Sequence, residues 1–543
     1  MKKTVIMLLI ALLAITTTMP LVGCKTKVAT DENTLEIYVG NFGYGTEWVE
    51  KAAEEFIKED WVKEKYPDLK VPKPAHNSEQ NFAADRILAG EVANTYDVLF
   101  TTTNANASIA LSINDGSNYF ENLNDVMDSE VPGEGVKLKD KMKRRIYENE
   151  LIEDNAGNRA MYGVPWVDGY IGILINRTLI ERDLGYEAGT FVMPRTTDEL
   201  NELCEALKNA QEGKPNAEKR PVFQFSSGIR YWDQTIHNWW AQYEGLEKYH
   251  NFYQGIYGNE LSYRVYEQQG RLEALEALQD LLWAPNGYLT ADVNTVSFTT
   301  AQSRFMQGKG YMMPCGDFFE NEMKSIAGEL DEMFDIEFLQ TPILSSLSDK
   351  LSCIGEGEDE KLSELIKCVD EKKTLAEAQA EIAGLTKADY DRITEARHVV
   401  GRIGGHIAYI PSYATAKEPA KDFLRYLATD KAIEIFVKST GGCSTPYTYS
   451  GGDESEITDI GSMHRSRLRI TEPGVYRKSQ DAFKMVYFGG MRIFVQTAIE
   501  RAYTAGNGKD RKTAQTIYQE TVDYYKKDNL ANWNAVLVNA GLK

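Results

Sequence analysis

The sequence predicts an α/β protein whose functional groups stand at strand ends. Leu35-Glu36-Ile37-Tyr38-Val39 alternates as a strand, runs into the Gly-punctuated loop 40–45, and is followed by Trp48, Val49, Ala52, Ala53, Phe56 and Ile57 at helical spacing. A second unit repeats the pattern, a helix from Phe82 leading to Tyr96-Asp97-Val98-Leu99-Phe100 and a Thr/Asn loop. No internal repeat and no low-complexity linker divides the chain, so more than one domain is expected with the lobes interwoven rather than strung in series.

The first 24 residues form an address. Lys2 and Lys3 precede an apolar run from Val5 to Ala14, too short for a stable transmembrane helix and of the form of a secretory signal. Leu21-Val22-Gly23-Cys24 resembles the lipobox of bacterial lipoproteins, in which the Cys thiol is diacylated and the chain is cut before it. The alternative is an ordinary cleavable signal with an incidental Cys. Two acyl chains, at about 0.8 kcal/mol per buried methylene, anchor a protein far more firmly than one. The lipid-anchored tether, 24–34, is polar from residue 25, and residues 25–34 reach roughly 30–36 Å when extended.

Removal of residues 1–23, with Lys2 and Lys3, leaves 520 residues and moves the net charge from −21 to −23. That acidity argues against nucleic acid and anionic lipid as partners, although a local Arg or Lys can still receive an anion. Cys204, Cys315, Cys353, Cys368 and Cys443 are odd in number and lack C-x-x-C or His spacing, so free buried thiols are expected rather than a zinc site or a disulfide framework. If one bridge forms, Cys353–Cys368 is the candidate.

Farther along, Ile171–Asn176 is an apolar strand. Thr196 and Glu199 stand at capping-box spacing before Leu200, Leu203, Cys204 and Leu207. Leu272, Leu275 and Leu278 mark another helix. Residues 351–400, rich in Glu and Lys, read as a helical surface insertion without its own core. Ala420, Phe423, Leu424 and Leu427 give a later helix, and Gly441-Gly442 ends that region. Asp154–Asn158 lacks the ligand alternation of a calcium loop and reads as a hairpin turn.

Four stretches resemble the extracellular solute-binding proteins of bacterial ABC importers, the broad carbohydrate-type family that includes maltose-binding-like receptors. They are Tyr162–Trp166 with Gly172–Asn176, Pro194–Leu200, Phe305–Met313 with Gly316-Asp317, and Gly404–Pro411 leading into Ala420–Leu424. The resemblance covers most of residues 35–445. It implies a two-lobe periplasmic-binding-protein-like fold with hinge crossings near Pro165, Met313 and Tyr409 and a ligand cleft between the lobes. The implied division is 35–165 for lobe 1, 166–313 for lobe 2, 314–409 for lobe 1 again with the insertion, and 410–543 for lobe 2 with a C-terminal extension.

A cleft receptor needs convergent hydrogen-bonding groups and flat apolar faces, and sugars present both kinds of surface. Phe42 and Tyr44 on the first Gly-rich loop, Thr102 and Asn104 after the second strand, Trp166 and Asp168 after the first crossing, and Asp317 and Phe318 after the second are the expected ligand contacts. Trp232 and Asp233 join them from the densest aromatic cluster, Ser226–Trp240. Each has a plainer alternative: the tryptophans, Trp239 included, fit a helix building a core, and a lone Asp caps helices or pairs with Arg. His406, on an apolar strand, reads as structural, and His237 has no partner at metal spacing. The expected protein is a monomeric receptor without cofactor, metal or catalysis. It is lipid-anchored through diacylglyceryl-Cys24 on the extracytoplasmic face of the cell membrane and hands a carbohydrate to ABC-transporter permease subunits. A surface glycoside hydrolase using two of Asp168, Asp233, Asp317 and Glu320, and an adhesin or sensor uncoupled from transport, are the alternatives.

Overall fold

The computed structural model describes residues 31–543 apart from 42, 78–81, 155, 356 and 507. The signal segment, Cys24 and Phe42 lie outside the described residues.

Two sheets organise the molecule. β1 (Ile37–Gly40), β2 (Ala75–Asn77), β3 (Val98–Phe100), β4 (Val164–Pro165) and a later strand form the first. β5 (Ile171–Asn176), β6 (Met312–Gly316) and β7 (Ile336–Leu339) form the second. β8 (Val399–Val400) precedes β9 (Ile407–Tyr409), the remaining strand of the first sheet, and β10 (Val475–Tyr476) pairs with β8 in parallel. In the first sheet β1 runs parallel to β2 and β3, with Ile37 opposite Val98 and Val39 opposite Phe100. β9 enters antiparallel between β3 and β4, Ala408 facing both Phe100 and Val164. All four β1 residues are buried, as a strand covered on both faces requires. In the second sheet β5 is central and antiparallel to both neighbours, Met312 opposite Ile175 and Ile336 opposite Asn176.

Helices cover both sheets where the hydrophobic spacing predicts. α1 (Glu47–Phe56) buries Trp48, Val49, Ala52, Ala53 and Phe56 on one face. In α2 (Thr197–Asn209) the Thr196 hydroxyl accepts the Glu199 amide at 3.2 Å, but the Glu199 carboxylate accepts the Arg195 amide at 2.6 Å instead of closing the reciprocal box. α3 (Trp232–Glu244) packs along α4 (Leu246–Tyr253) and α5 (Gln269–Leu282) behind the second sheet. α6 (Ser462–Thr471) lies on β7. Helices 417–426 and 430–440 pack on α1, on the side of the first sheet, and Gly441 closes the latter at φ +74°. Strands 152–153 and 159–160 form the hairpin expected around Asp154, and the five cysteines are free thiols.

Two placements differ from the sequence reading. Ile336–Leu339 pairs with β5, so the stretch after β6 stays with the second sheet. Residues 351–400 are not a surface insertion: Leu362, Leu365, Ile366, Cys368, Ala378, Ile393 and Ala396 are buried in the core that also holds α2 and α3. Their Glu/Lys-rich composition masks a single apolar stripe per helix. Asp359 accepts from the Thr196 hydroxyl at 2.7 Å, and Arg397 forks onto Asp370 at 2.7 and 2.9 Å.

Candidate functional site

β3 ends at the mouth of a cleft of about 380 Å³ lying between the two sheets. Thr101 holds its floor, donating its amide and hydroxyl to the Ile407 carbonyl at 2.8 and 3.0 Å. Thr102, Thr103 and Asn104 then form one wall. They face the chain entering β9, where Gly405 sits at φ +96° and a Cβ would stand 2.8 Å from the Thr102 carbonyl oxygen. Only glycine allows that conformation and that approach.

The opposite wall is the first turn of α3. Arg230, Asp233, Gln234 and His237 line it, with Ile171 at the start of β5. The third side comes from Arg402 and from Arg477 to Asp481. Arg477 reaches α3 and α4: Nε donates to Asn238 Oδ1 at 2.8 Å and Nη2 to Gln234 Oε1 on α3, and Nη1 to the Tyr249 hydroxyl on α4 at 3.4 Å. Asp481 reaches the other wall, its carboxylate bonded by Asn104 and its carbonyl accepting from Asn106 Nδ2 at 2.9 Å. The C-terminal segment therefore touches both sides of the cleft.

Burial shapes the electrostatics here. It raises the Asp233 carboxyl, which Arg230, at 2.7 Å, and Arg477 partly draw back down. Burial also raises Asp481. It pushes His237 well below its ordinary range, aided by Arg477, so the ring is neutral and meets the Tyr249 and Tyr253 hydroxyls at Nδ1. Behind Asp233, burial and that neighbouring carboxylate push Glu500 upward. Among the described residues that line the cleft none is Phe, Tyr or Trp.

Of the expected contacts, Thr102, Asn104 and Asp233 line the cleft. The other described ones, Tyr44, Trp166, Asp168, Trp232, Asp317 and Phe318, do not line it. Tyr44, 1 % exposed, turns inward and donates to Asp317 Oδ1 at 2.7 Å. Trp166 is a core residue, stacked 5.3 Å from Trp48 and donating its indole N–H to the Thr101 carbonyl at 3.0 Å. Asp168 is buried against Lys143 at 3.0 Å and Arg145 at 2.8 Å, cations that hold its carboxyl at about 2 despite burial. Trp232 is fully buried, edge-on to Phe223 and Phe225. Asp317 faces Arg467 and Tyr44 inside the protein, and Phe318 packs edge-on to Tyr44. Trp239, likewise buried, donates to the Pro342 carbonyl at 3.0 Å. His406 packs between Tyr44 and Trp166.

The sequence profile of the bacterial extracellular solute-binding proteins matches residues 43–338, more than half of the chain. The chain belongs to that family. No curated protein matches the sequence. Among solved structures, this solute-binding protein is similar to a chitin oligosaccharide binding protein, at 13 % identity and a TM-score of 0.55 over 91 % of this chain and 98 % of the other. It is similar to the GacH receptor of Streptomyces glaucescens, described unliganded and with acarbose, at 13 % identity, TM-score 0.54 and coverages of 91 % and 97 %. A probable secreted solute-binding lipoprotein from Streptomyces coelicolor gives 14 % identity, TM-score 0.52 and coverages of 92 % and 100 %. These likenesses are of fold: two α/β lobes, with about nine-tenths of the chain superposed in each case.

The solute-binding protein's cleft draws Arg402 to Gly405 and Arg477 to Asp481 from beyond the matched segment. Arg230 was visible in the aromatic cluster and Gly404-Gly405 in the fourth motif, so both carried a sequence signal. Arg477 carried none: pairing of β10 with β8 brings it there, and no spacing within the chain announces that contact.

Proposed function

We propose that this solute-binding protein is the receptor of an ABC importer, lipid-anchored through Cys24, that closes its lobes on a carbohydrate in the cleft between the sheets and delivers it to a membrane permease. The observation that carries the reading is the cleft itself: in a chain of this family it stands at the carboxyl end of β3, and hydroxyl, amide, carboxylate and guanidinium groups converge on it from both walls. The neighbours' named ligands, chitin oligosaccharide and acarbose, support a sugar of more than one residue. The lobes divide between the two sheets, and ligand contacts to both walls favour the closed population. Asp168 and Asp317, two of the carboxylates a glycoside hydrolase would need, are buried and engaged by neighbouring cations, which favours binding without turnover.

Titration calorimetry of the purified full-length protein against an oligosaccharide panel tests this. Saturable one-to-one binding without product release is expected. Amino acids or peptides binding while every sugar fails would reject it. The anchor is tested separately: Cys24→Ser should move the protein from the membrane fraction to the soluble fraction, since the described residues hold no helix long and apolar enough to cross a membrane. Retention of the variant in the membrane would remove the lipid from the reading.

A further inference from the structure

The cleft carries three guanidiniums, and they are not equally provided for. Arg230 is ion-paired to Asp233 at 2.7 Å. Arg402 is paired to Glu150 at 2.5 Å, with Asp168 at 3.9 Å. Arg477 is 5 % exposed and, among the described residues, makes no ion pair: its three partners, Asn238, Tyr249 and Gln234, are neutral. Asp233 feels its charge but is bonded to Arg230, and Asp481 turns to Asn104 and Ser479. In a chain of net charge −21, a buried guanidinium left without a carboxylate is a local exception to the mean.

A guanidinium has five N–H donors, and three are used here, so two remain for a ligand. Taking it out of water without a counter-charge is unfavourable, whereas a bidentate carboxylate would supply both charge and fork geometry. A neutral sugar needs no such group, because the Thr, Asn, Gln and Ser side chains of the walls already serve hydroxyls. The same wall carries the N-terminal end of α3, a helix of 13 residues whose dipole adds positive potential. Gly401 gives the guanidinium room, since a Cβ there would collide with Arg477 Nη2 and Gln234 Oε1. With no Phe, Tyr or Trp in its described lining, the cleft shifts recognition from C–H stacking toward charge.

We infer that the ligand is an acidic carbohydrate, an oligosaccharide bearing a uronic-acid carboxylate, and that Arg477 receives that carboxylate. The inference rests on the carbohydrate reading and narrows it. Calorimetry with matched pairs tests it: xylo-oligosaccharides with and without a glucuronic acid branch, and oligogalacturonates against neutral galacto-oligosaccharides. The acidic member of at least one pair should bind tenfold or more tightly than its neutral counterpart, and its affinity should fall as sodium chloride is raised. Arg477→Gln should weaken the acidic member at least tenfold more than its neutral counterpart and so erase that preference. Because Gln also loses contacts to α3, Arg477→Lys serves as the second variant. It keeps the charge but not the fork, and should weaken the acidic ligand about tenfold more than the neutral one. Neutral members binding as tightly as acidic ones, or a salt-independent affinity, would overturn the inference and leave the carbohydrate reading standing. Binding of a non-sugar solute with no sugar bound would overturn both.

Discussion

Replacing Trp232 by alanine is expected to destabilise the protein by about 3–5 kcal/mol and to leave ligand affinity in the folded fraction within threefold. The side chain is fully buried, with Phe223 and Phe225 rings 5.4 and 5.9 Å away, on the core-facing side of the helix whose neighbouring residue Asp233 lines the cleft. Truncation would open a cavity in an interior too close-packed to collapse around it. Trp232→Phe should cost much less, about 1–2 kcal/mol, because the indole N–H has no hydrogen-bond partner among the described residues and its loss removes a buried unpaired donor. Urea midpoints for the two variants, with ligand titration at low urea, separate the effects. A stable Trp232→Ala variant that fails to bind would move the ring from the core into the cleft.

Trp232 and Asp233 also show how far the chain could be read unaided. Helical periodicity placed both on α3, and the strand–loop–helix order placed Thr102 and Asn104 at a strand end, because each is a local property of the chain. What periodicity does not tell is which face of an amphipathic helix meets another helix and which meets a cavity. Trp232, Trp239 and Trp240 sit at spacings that satisfy either reading, and here bulk decided: the aromatic rings fill the core behind the second sheet, and the shorter polar side chains of the first turn reach the cleft. Tyr44 failed differently. A Gly-rich loop suggested exposure, but Gly43, at φ +66°, has no Cβ where the Phe318 ring comes to rest, so the loop folds inward and the tyrosine goes with it. For Asp168 and Asp317 the chain leaves ligand contact and pairing with a cation both open, because Lys143, Arg145 and Arg467 approach them from other parts of the chain. In residues 351–400 composition hides the packing, since an abundance of Glu and Lys says nothing about the one stripe that is apolar.

Removing the Arg467 guanidinium should produce a defect that depends on pH. Arg467, on α6, lies with Nε 3.9 Å from Asp317 Oδ2, and donates to Ser444 Oγ at 2.9 Å and the Gly442 carbonyl at 3.1 Å. Asp317, just after β6, accepts from the Tyr44 hydroxyl at 2.7 Å, so the cluster ties the loop after β1 to the second sheet. Both charged side chains are buried. Burial pushes the Asp317 carboxyl from 3.8 to about 6 even with Arg467 beside it. Below pH 3.8 the acid is protonated folded and unfolded alike, and its charge costs nothing. Between 3.8 and 6 the unfolded chain releases the proton first, so this group lowers stability as pH rises through that window, by about 3 kcal/mol in all. Asp168 runs the other way: held at about 2, it adds stability that is present above 3.8 and lost as pH falls toward 2. In Arg467→Met the Asp317 charge loses its counter-ion, and at pH 7.5 the cost should be about 3–5 kcal/mol. That corresponds to a melting shift of roughly 3–5 °C if a body of this size unfolds as one unit. At pH 4 Asp317 is protonated in the parent and the variant, so only the lost hydrogen bonds to Ser444 and Gly442 remain and the defect should fall to less than half. Melting curves at pH 4 and 7.5 decide the matter: an equal loss at both values would mean that Arg467 acts by packing and hydrogen bonding alone, with no share in carrying the buried carboxylate.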